Sequence, residues 1–452
     1  MEVEKKKCVV VGTGISGIGA TNLLTAKGAS VVLFDENKER KVEDVLAKLD
    51  HKDKVEIILG ELSDEYVKRA DLLVLSPGVP VDTPFVERFK KNKVTVWGEI
   101  ELGYRLGKGT VIGITGTNGK TTTTTLVGEI MSNYYKSVFV VGNIGNPYTT
   151  VAEEMKDESI VVAEISSFQL ETIEEFKPHV SAVLNVTPDH LNRHHTMDVY
   201  AGCKADIAKN QDENDVCVLN YDNEYTRKMA QKTKAKVCFC SSKEKLEDGI
   251  YLEKDTIYLA KEGVSTPIFR TKETSLVGVC NYENIMAAIL ISLGNGVDLE
   301  SILDTVRKFK AVEHRIEFVA TKNGVDYYND SKGTNPDAAI QGIKAMTKPT
   351  ILIGGGYDKQ NEFDEWIEAF DGKVKLLVLI GQTKDKIASC AKEHGFTDYC
   401  FADTFEEAFA ICSGNASPGD AVLLSPACAS WGMFDNYEQR GRMFKDMVCS
   451  LS

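Results

Sequence analysis

The stretch TGTNGKTT, from Thr115 to Thr122, follows the apolar run Thr110 to Ile114 and opens a helix-length segment. These residue types at this spacing suit a phosphate-binding loop. Gly116 and Gly119 free backbone N–H groups to face a polyphosphate at a helix N-terminus. Lys120 would then reach the β- and γ-phosphates, and the hydroxyl of Thr121 or Thr122 would face Mg²⁺, a hard cation that takes oxygen ligands. The spelling departs from the strict GxxxxGKT pattern, which asks for glycine where this chain has Ile114. Two later apolar runs end in groups that could serve such a site. IVVAEISS delivers Glu164, and VSAVLNVTPDH delivers Asp189 and His190, where parallel strands hand side chains to a ligand crevice. Glu164 could hold Mg²⁺ with Thr121, or simply be a solvated strand-end carboxylate. His190 could ligate a second metal, although a nitrogen ligand is less typical of Mg²⁺ than of transition metals.

The elements that must position these groups are short apolar runs alternating with helical segments, the pattern of α/β domains with parallel sheets covered by helices on both faces. The length of 452 residues predicts two or three domains. The chain divides into a Rossmann-like unit over 1–97, a central P-loop-type unit over 98–310 and a C-terminal Rossmann-like unit over 311–452. The first begins VVVGTGISGIGA, with Gly12, Gly14 and Gly17 in GxGxxG spacing, and its second strand ends at Asp35. That turn serves NAD, another phosphate-bearing ligand, or only tight strand-to-helix packing. The third supplies the runs YYND, TILIGG, KLLVLIG and AVLLSP.

With 53 basic against 67 acidic residues the net charge is −14, which argues against a broad nucleic-acid or anionic-membrane surface. No apolar run reaches membrane-spanning length, and the start MEVEKKK is no signal-peptide core, so the cytoplasm is the expected location. The eleven cysteines are scattered without a CxxC pair, as suits reduced thiols with neither disulfides nor a zinc site.

Several longer motifs stand in one order: TGTNGKTT, GNIGNP at 142–147, EISSFQLE at 164–171, NVTPDHLNRH at 185–194, HRIE at 314–317, NDSKGTNPDA at 329–338, GGYDK at 355–359, then SPACAS and NYEQRG. Together they resemble the Mur ligase family over essentially the whole chain. The resemblance implies a three-domain enzyme, expected as a monomer, that forms an amide bond between D-glutamate and UDP-N-acetylmuramoyl-L-alanine while ATP becomes ADP and phosphate. It implies that Ile15, Ser16 and Asp35 hold the uridine diphosphate, and that Ser76, Asn143 and Ser166 serve the muramoyl-alanine part. ATP would be held by Gly116, Thr117, Asn118, Gly119, Lys120, Thr121 and Thr122, by the adenine-side Asn281 and Asn284, and by Arg315, Asp330 and Lys332. D-glutamate would meet Thr334, Lys359, Ser430, Trp431 and Tyr437.

The implied chemistry has one obstacle. A carboxylate is a poor acyl donor, so its oxygen first attacks the γ-phosphate, and the amine then displaces phosphate from the acyl phosphate. Lys120, Lys332, Arg315, Lys359 and two Mg²⁺ ions, or Mn²⁺ in their place, would offset the crowded negative charge. Asp330 and Lys332 lie two apart, so in an extended segment they would share a face. Lys204 in YAGCK falls where the family carries a lysine carbamylated by CO₂, which turns a cation into a carboxylate-like ligand for the second ion beside His190. Closure of the third unit about a hinge near 310–313 is expected to complete the cation set.

Three positions depart from the family pattern: Cys280 for histidine, Trp431 for an aliphatic residue and Tyr437 for phenylalanine. The two aromatics would reshape the glutamate pocket, or else pack between C-terminal segments. A sister amide ligase would share the loop, Glu164, His190 and Lys204 but not DSKGTN with SPACASW and NYEQRG. An NAD oxidoreductase would leave the phosphate loop idle, and a nucleotide-binding switch would leave the metal cluster without a task.

Overall fold

The computed structural model describes residues 3–451. Three sheets organise them. The first contains β1 (Lys7–Val11), β2 (Ser30–Asp35), β3 (Val55–Leu59), β4 (Leu72–Leu75) and β5 (Thr95–Gly98), in the order β3-β2-β1-β4-β5 with all pairs parallel. Its central strands read CVVV and LLVL because both faces are covered: Cys8, Val10, Leu72 and Val74 enter one core, while Val9, Val11, Leu73 and Leu75 enter the other. Alternation of side chains across a strand makes a continuous apolar run the signature of such burial.

The second sheet holds β6 (Thr110–Thr115), β7 (Val138–Gly142), β8 (Ile160–Glu164), β9 (Val180–Val183), β10 (Val216–Asn220), β11 (Lys236–Ser241), β12 (Gly249–Glu253), β13 (Thr256–Lys261) and β14 (Val264–Arg270). Its order is β14-β13-β12-β11-β10-β9-β6-β8-β7, which sets β6 between β8 and β9. The third holds β15 (Glu317–Lys322), β16 (Val325–Asn329), β17 (Thr350–Gly356), β18 (Val374–Gly381), β19 (Tyr399–Phe401) and β20 (Ala421–Leu424), in the order β15-β16-β20-β17-β18-β19. Only the edge strand β15 runs antiparallel to its neighbour. The described residues fall into two compact units, one built on the first sheet and most of the second, the other on the third sheet together with 252–258 and 267–285.

The GxGxxG turn after β1 has a backbone reason for two of its glycines. Gly12 sits at φ +99°, a region favouring glycine. A Cβ on Gly17 would lie 1.8 Å from the Gly12 carbonyl oxygen, whereas one on Gly14 would meet nothing within 4 Å. Gly17→Ala should therefore destabilise the first domain by about 1–3 kcal/mol, and Gly14→Ala should not. Urea unfolding midpoints check this, and equal midpoints for the two variants would refute it.

Two sequence expectations need correction. The run VSAVLNVTPDH is not a strand to its end: β9 stops at Val183, and the residues beyond bond to the phosphate loop instead of continuing the ladder. Asp330 and Lys332 do not share a face of an extended segment. The Gly333 N–H donates to the Asp330 carbonyl at 2.8 Å, so Asp330–Gly333 is a turn.

Candidate active site

Thr115 ends β6, and the helix Lys120–Tyr134 begins four residues after Gly116. Gly116 at φ +155° and Gly119 at φ +83° shape the bend, and Gly119 caps the helix in the left-handed conformation. The loop is fastened to residues 184–187. The Thr117 N–H donates to the Asn185 carbonyl at 2.9 Å, the Asn118 N–H donates to Asn185 Oδ1 at 2.8 Å, and Asn185 Nδ2 donates back to the Asn118 carbonyl at 3.1 Å. Thr117 Oγ1 accepts from the Thr187 N–H at 3.0 Å and lies 3.1 Å from the Tyr200 hydroxyl.

Two lysines converge on this loop. Lys120 Nζ donates to the carbonyls of Gly116 at 2.9 Å and Thr117 at 2.8 Å. Lys204 Nζ donates to the same Gly116 carbonyl at 2.8 Å and stands 4.6 Å over the Tyr200 ring. Lys204 is 1% exposed. Burial, and then the Lys120 cation, hold its amine well below the usual lysine value. Two cations on one carbonyl in a dry site repel each other, so this position favours either a neutral amine or an added anion.

Glu164 ends β8 and is 1% exposed. Its Oε1 accepts from Asn143 Nδ2 at 2.8 Å, and Oε2 is buried without a protein hydrogen-bond partner among the described residues. Gly142, at φ +93°, brings Asn143 this close, because a Cβ there would strike the Glu164 carbonyl oxygen at 2.2 Å. Thr121 and Thr122 are buried in the first turn of the loop helix. His190 adopts φ +53°, with its ring 4.8 Å from Phe168 and Nε2 3.4 Å from Asp189. Burial and the Lys120 and Lys204 cations lower its pKa, opposed by Asp189. An orphaned carboxylate oxygen, a histidine kept neutral and buried threonines are donors that fit a divalent cation.

Ile15 and Ser16 open the helix Ile15–Ala26 after the first glycine turn, with Ile15 69% exposed. Asp35 is occupied by that turn: Oδ2 accepts from the Thr13 N–H at 2.9 Å and the Thr13 hydroxyl at 2.6 Å. Ser76 Oγ, beyond β4, is buried without a hydrogen-bond partner among the described residues. Ser166 caps a short helix by a reciprocal box with Gln169.

The third sheet carries its own cluster. Burial pushes the Asp330 carboxyl up to about 7, against a hydrogen bond from Ser425 and the nearby Arg315. Lys332 Nζ is 5.4 Å from the Tyr437 ring centre, and Lys359 Nζ is 4.8 Å from that of Trp431. Trp431 is 54% exposed and meets Tyr357 edge-on. The Tyr357 N–H donates to the Ala429 carbonyl at 2.9 Å, which fixes the GGYDK loop beside Ser430, itself buried. Arg440, fully buried, donates to Ser331 Oγ at 2.9 Å, the Ser331 carbonyl at 2.8 Å and the Cys428 carbonyl at 3.2 Å. It thereby ties the turn holding Lys332 and leading to Thr334 to the loop holding Ser430. Asn281 and Asn284, buried one helical turn apart, bond each other at 3.3 Å. Cys280 beside them is pushed up to about 12 by burial, Glu283 and Asp330.

Asn185 and Arg193 stand in NVTPDHLNRH, Tyr200 in YAGCK and Arg440 in NYEQRG, but local spacing does not reveal what each one bonds. Gln169 has a local signal, because serine followed three residues later by glutamine marks a capping box.

Three sheets, a glycine-shaped bend after β6 and buried polar groups at strand ends define a multidomain α/β fold. The chain belongs to the Mur ligase family: 6–98 match the MurD-like N-terminal domain of Mur ligases, 114–292 the Mur ligase middle domain, and 314–428 the Mur ligase glutamate ligase domain. It is 55% identical over 451 residues to a UDP-N-acetylmuramoylalanine--D-glutamate ligase of Lachnospira eligens, and 46% identical over 452 to one of Clostridioides difficile, each match covering all of both chains. Among solved structures, the MurF ligase of Thermotoga maritima in complex with ADP shares the fold with TM-score 0.61 at 18% identity, over 100% of this chain and 97% of that one.

Proposed function

We propose that this chain is an ATP-dependent ligase that adds D-glutamate to UDP-N-acetylmuramoyl-L-alanine, a step in building the peptidoglycan precursor. The end-to-end match to D-glutamate ligases carries this reading, and the geometry supports a phosphoryl-transfer chemistry. In this reading the first glycine turn, with Ile15, Ser16, Asp35 and Ser76, receives the nucleotide sugar. Asn143 and Ser166 face its muramoyl-alanine end. The phosphate loop, with Lys120, Thr121 and Thr122, holds the triphosphate of ATP, and Asn281, Asn284, Arg315 and Asp330 serve its remaining parts. Thr334, Lys359, Ser430, Trp431 and Tyr437 hold the amino acid.

The substrate carboxylate attacks the γ-phosphorus, ADP leaves, and the acyl phosphate is then attacked by the amine of D-glutamate with loss of a proton and of phosphate. Lys120 and Lys332 stabilise charge that grows on the transferring oxygens. Mg²⁺ held by Thr121, Glu164, His190 and a carbamate on Lys204 would supply further positive charge at the phosphates. The carbamate forms when the neutral Lys204 amine attacks CO₂, making an N–C bond and releasing one proton. ATP and a nucleotide sugar as substrates suit work in the cytoplasm. No helix of the described residues is long and apolar enough to cross a membrane.

The test is phosphate release by purified protein with ATP, Mg²⁺ and UDP-N-acetylmuramoyl-L-alanine. Release is expected with D-glutamate and not with L-glutamate, L-alanine, L-lysine or no amino acid. Release with another amino acid would keep the ligase chemistry and overturn the substrate assignment.

A further inference from the structure

The ligase reading leaves a polar knot between the first two sheets without a task. The Arg193 guanidinium pairs with Glu171 through Nε at 3.2 Å and Nη2 at 2.5 Å, and both side chains are nearly buried, at 12% and 10% exposure. Its other donors reach the first domain. Nη1 donates to the Pro77 carbonyl at 3.1 Å and Nη2 to the Val79 carbonyl at 3.2 Å. Those carbonyls belong to the turn that starts at Ser76, where the Val79 N–H closes on the Ser76 carbonyl at 3.0 Å. The guanidinium also lies 4.2 Å over the Phe168 ring, which packs against His190 at 4.8 Å and His194 at 5.5 Å. His194, buried, sets Nε2 2.9 Å from Ser167 Oγ and Nδ1 3.5 Å from Glu171.

We propose that Arg193 is a positioning residue for the nucleotide-sugar substrate, holding the Ser76–Val79 turn in register with His190 and the phosphate loop. Only a guanidinium can do this with one side chain. Its planar fork meets a carboxylate with two donors and still has donors for two carbonyls, whereas an ammonium is a compact point charge with three. Glu171 is needed to keep that cation in a nearly dry place, since an unpaired buried charge is costly. The stacked Phe168 links the same group to His190, so the turn and the histidine share one support. The inference rests on the proposed function for the identity of the substrate but not for the clamp itself.

The test compares wild type with Arg193→Lys and Glu171→Gln in steady-state kinetics and in amide hydrogen exchange. In Arg193→Lys the KM for UDP-N-acetylmuramoyl-L-alanine should rise about tenfold, while kcat and the KM values for ATP and D-glutamate stay within about threefold. Exchange of the turn amides around Val79 should quicken about tenfold, with the phosphate loop unchanged. Glu171→Gln, which leaves the two carbonyl bonds possible, should show the same pattern at smaller size. A folded Arg193→Lys protein with unaltered KM and exchange overturns the proposal. So does a uniform loss in every kinetic parameter together with a lower melting temperature, which would make Arg193 a general brace. If wild type released no phosphate with this substrate, the ligase reading would fail, and the exchange comparison would still decide whether the clamp exists.

Discussion

Replacing Lys204 by alanine should lower D-glutamate-dependent phosphate release by about 10²–10³-fold or more, and added bicarbonate should not restore it. The geometry explains the size. Lys204 is buried and shares the Gly116 carbonyl with Lys120, so as a plain ammonium it would set two cations against each other where water is scarce. Burial lowers its pKa, which raises the share of neutral amine able to combine with CO₂. The resulting carbamate would remove one positive charge, add a negative one and face Lys120 as a partner. Lys204→Arg is the informative companion: it keeps a cation but cannot be carbamylated, and it should be as inactive as the alanine variant. Turnover near wild type in either variant would remove the carbamate from the mechanism.

Glu164→Gln should cost turnover about 10²–10³-fold while leaving the protein at least as stable. The two effects separate because of what each oxygen does. Oε1 accepts from Asn143 Nδ2, and a glutamine oxygen can do the same. Oε2 is buried without a hydrogen bond among the described residues, so the substitution removes no hydrogen bond that this oxygen makes within the fold. A carboxylate oxygen left without a protein partner at a strand end beside the glycine loop fits a cation ligand. The measurement pairs thermal unfolding with phosphate release across a Mg²⁺ titration. A variant that lost stability and kept its turnover would make Glu164 a structural carboxylate and refute the assignment.

Much of this was legible in one dimension because the physics is local. Runs such as CVVV, LLVL and LVLI are apolar throughout since both faces of their strands are covered. TGTNGKTT announces its bend because Gly116 and Gly119 hold backbone angles that favour glycine. Asp35 and Glu164 close their apolar runs and stand at the ends of β2 and β8.

Local pattern misleads where long-range bonding competes with it. The residues after Val183 look apolar enough to extend β9, yet their backbone is taken by the phosphate loop through Asn185. Asp330 and Lys332 alternate as a strand would, but the chain turns at Gly333, where an added Cβ would lie 2.7 Å from Asp330 Oδ2. Arg440 stands in NYEQRG, but its bonds are not legible there, because its partners are carbonyls and a hydroxyl that only packing brings near.

By itself the sequence determined the three α/β units, the glycine bend after β6, Glu164 at the end of β8 and the family to which the chain belongs. These follow from periodicity, glycine geometry and long ordered motifs. Tertiary structure alone decided that Lys204 meets the Gly116 carbonyl 88 residues away, that Glu164 keeps one oxygen without a hydrogen bond, and that Arg193 reaches Pro77 across 116 residues. Charge, burial and hydrogen-bond satisfaction depend on which distant groups close around a side chain, and no local spacing encodes that.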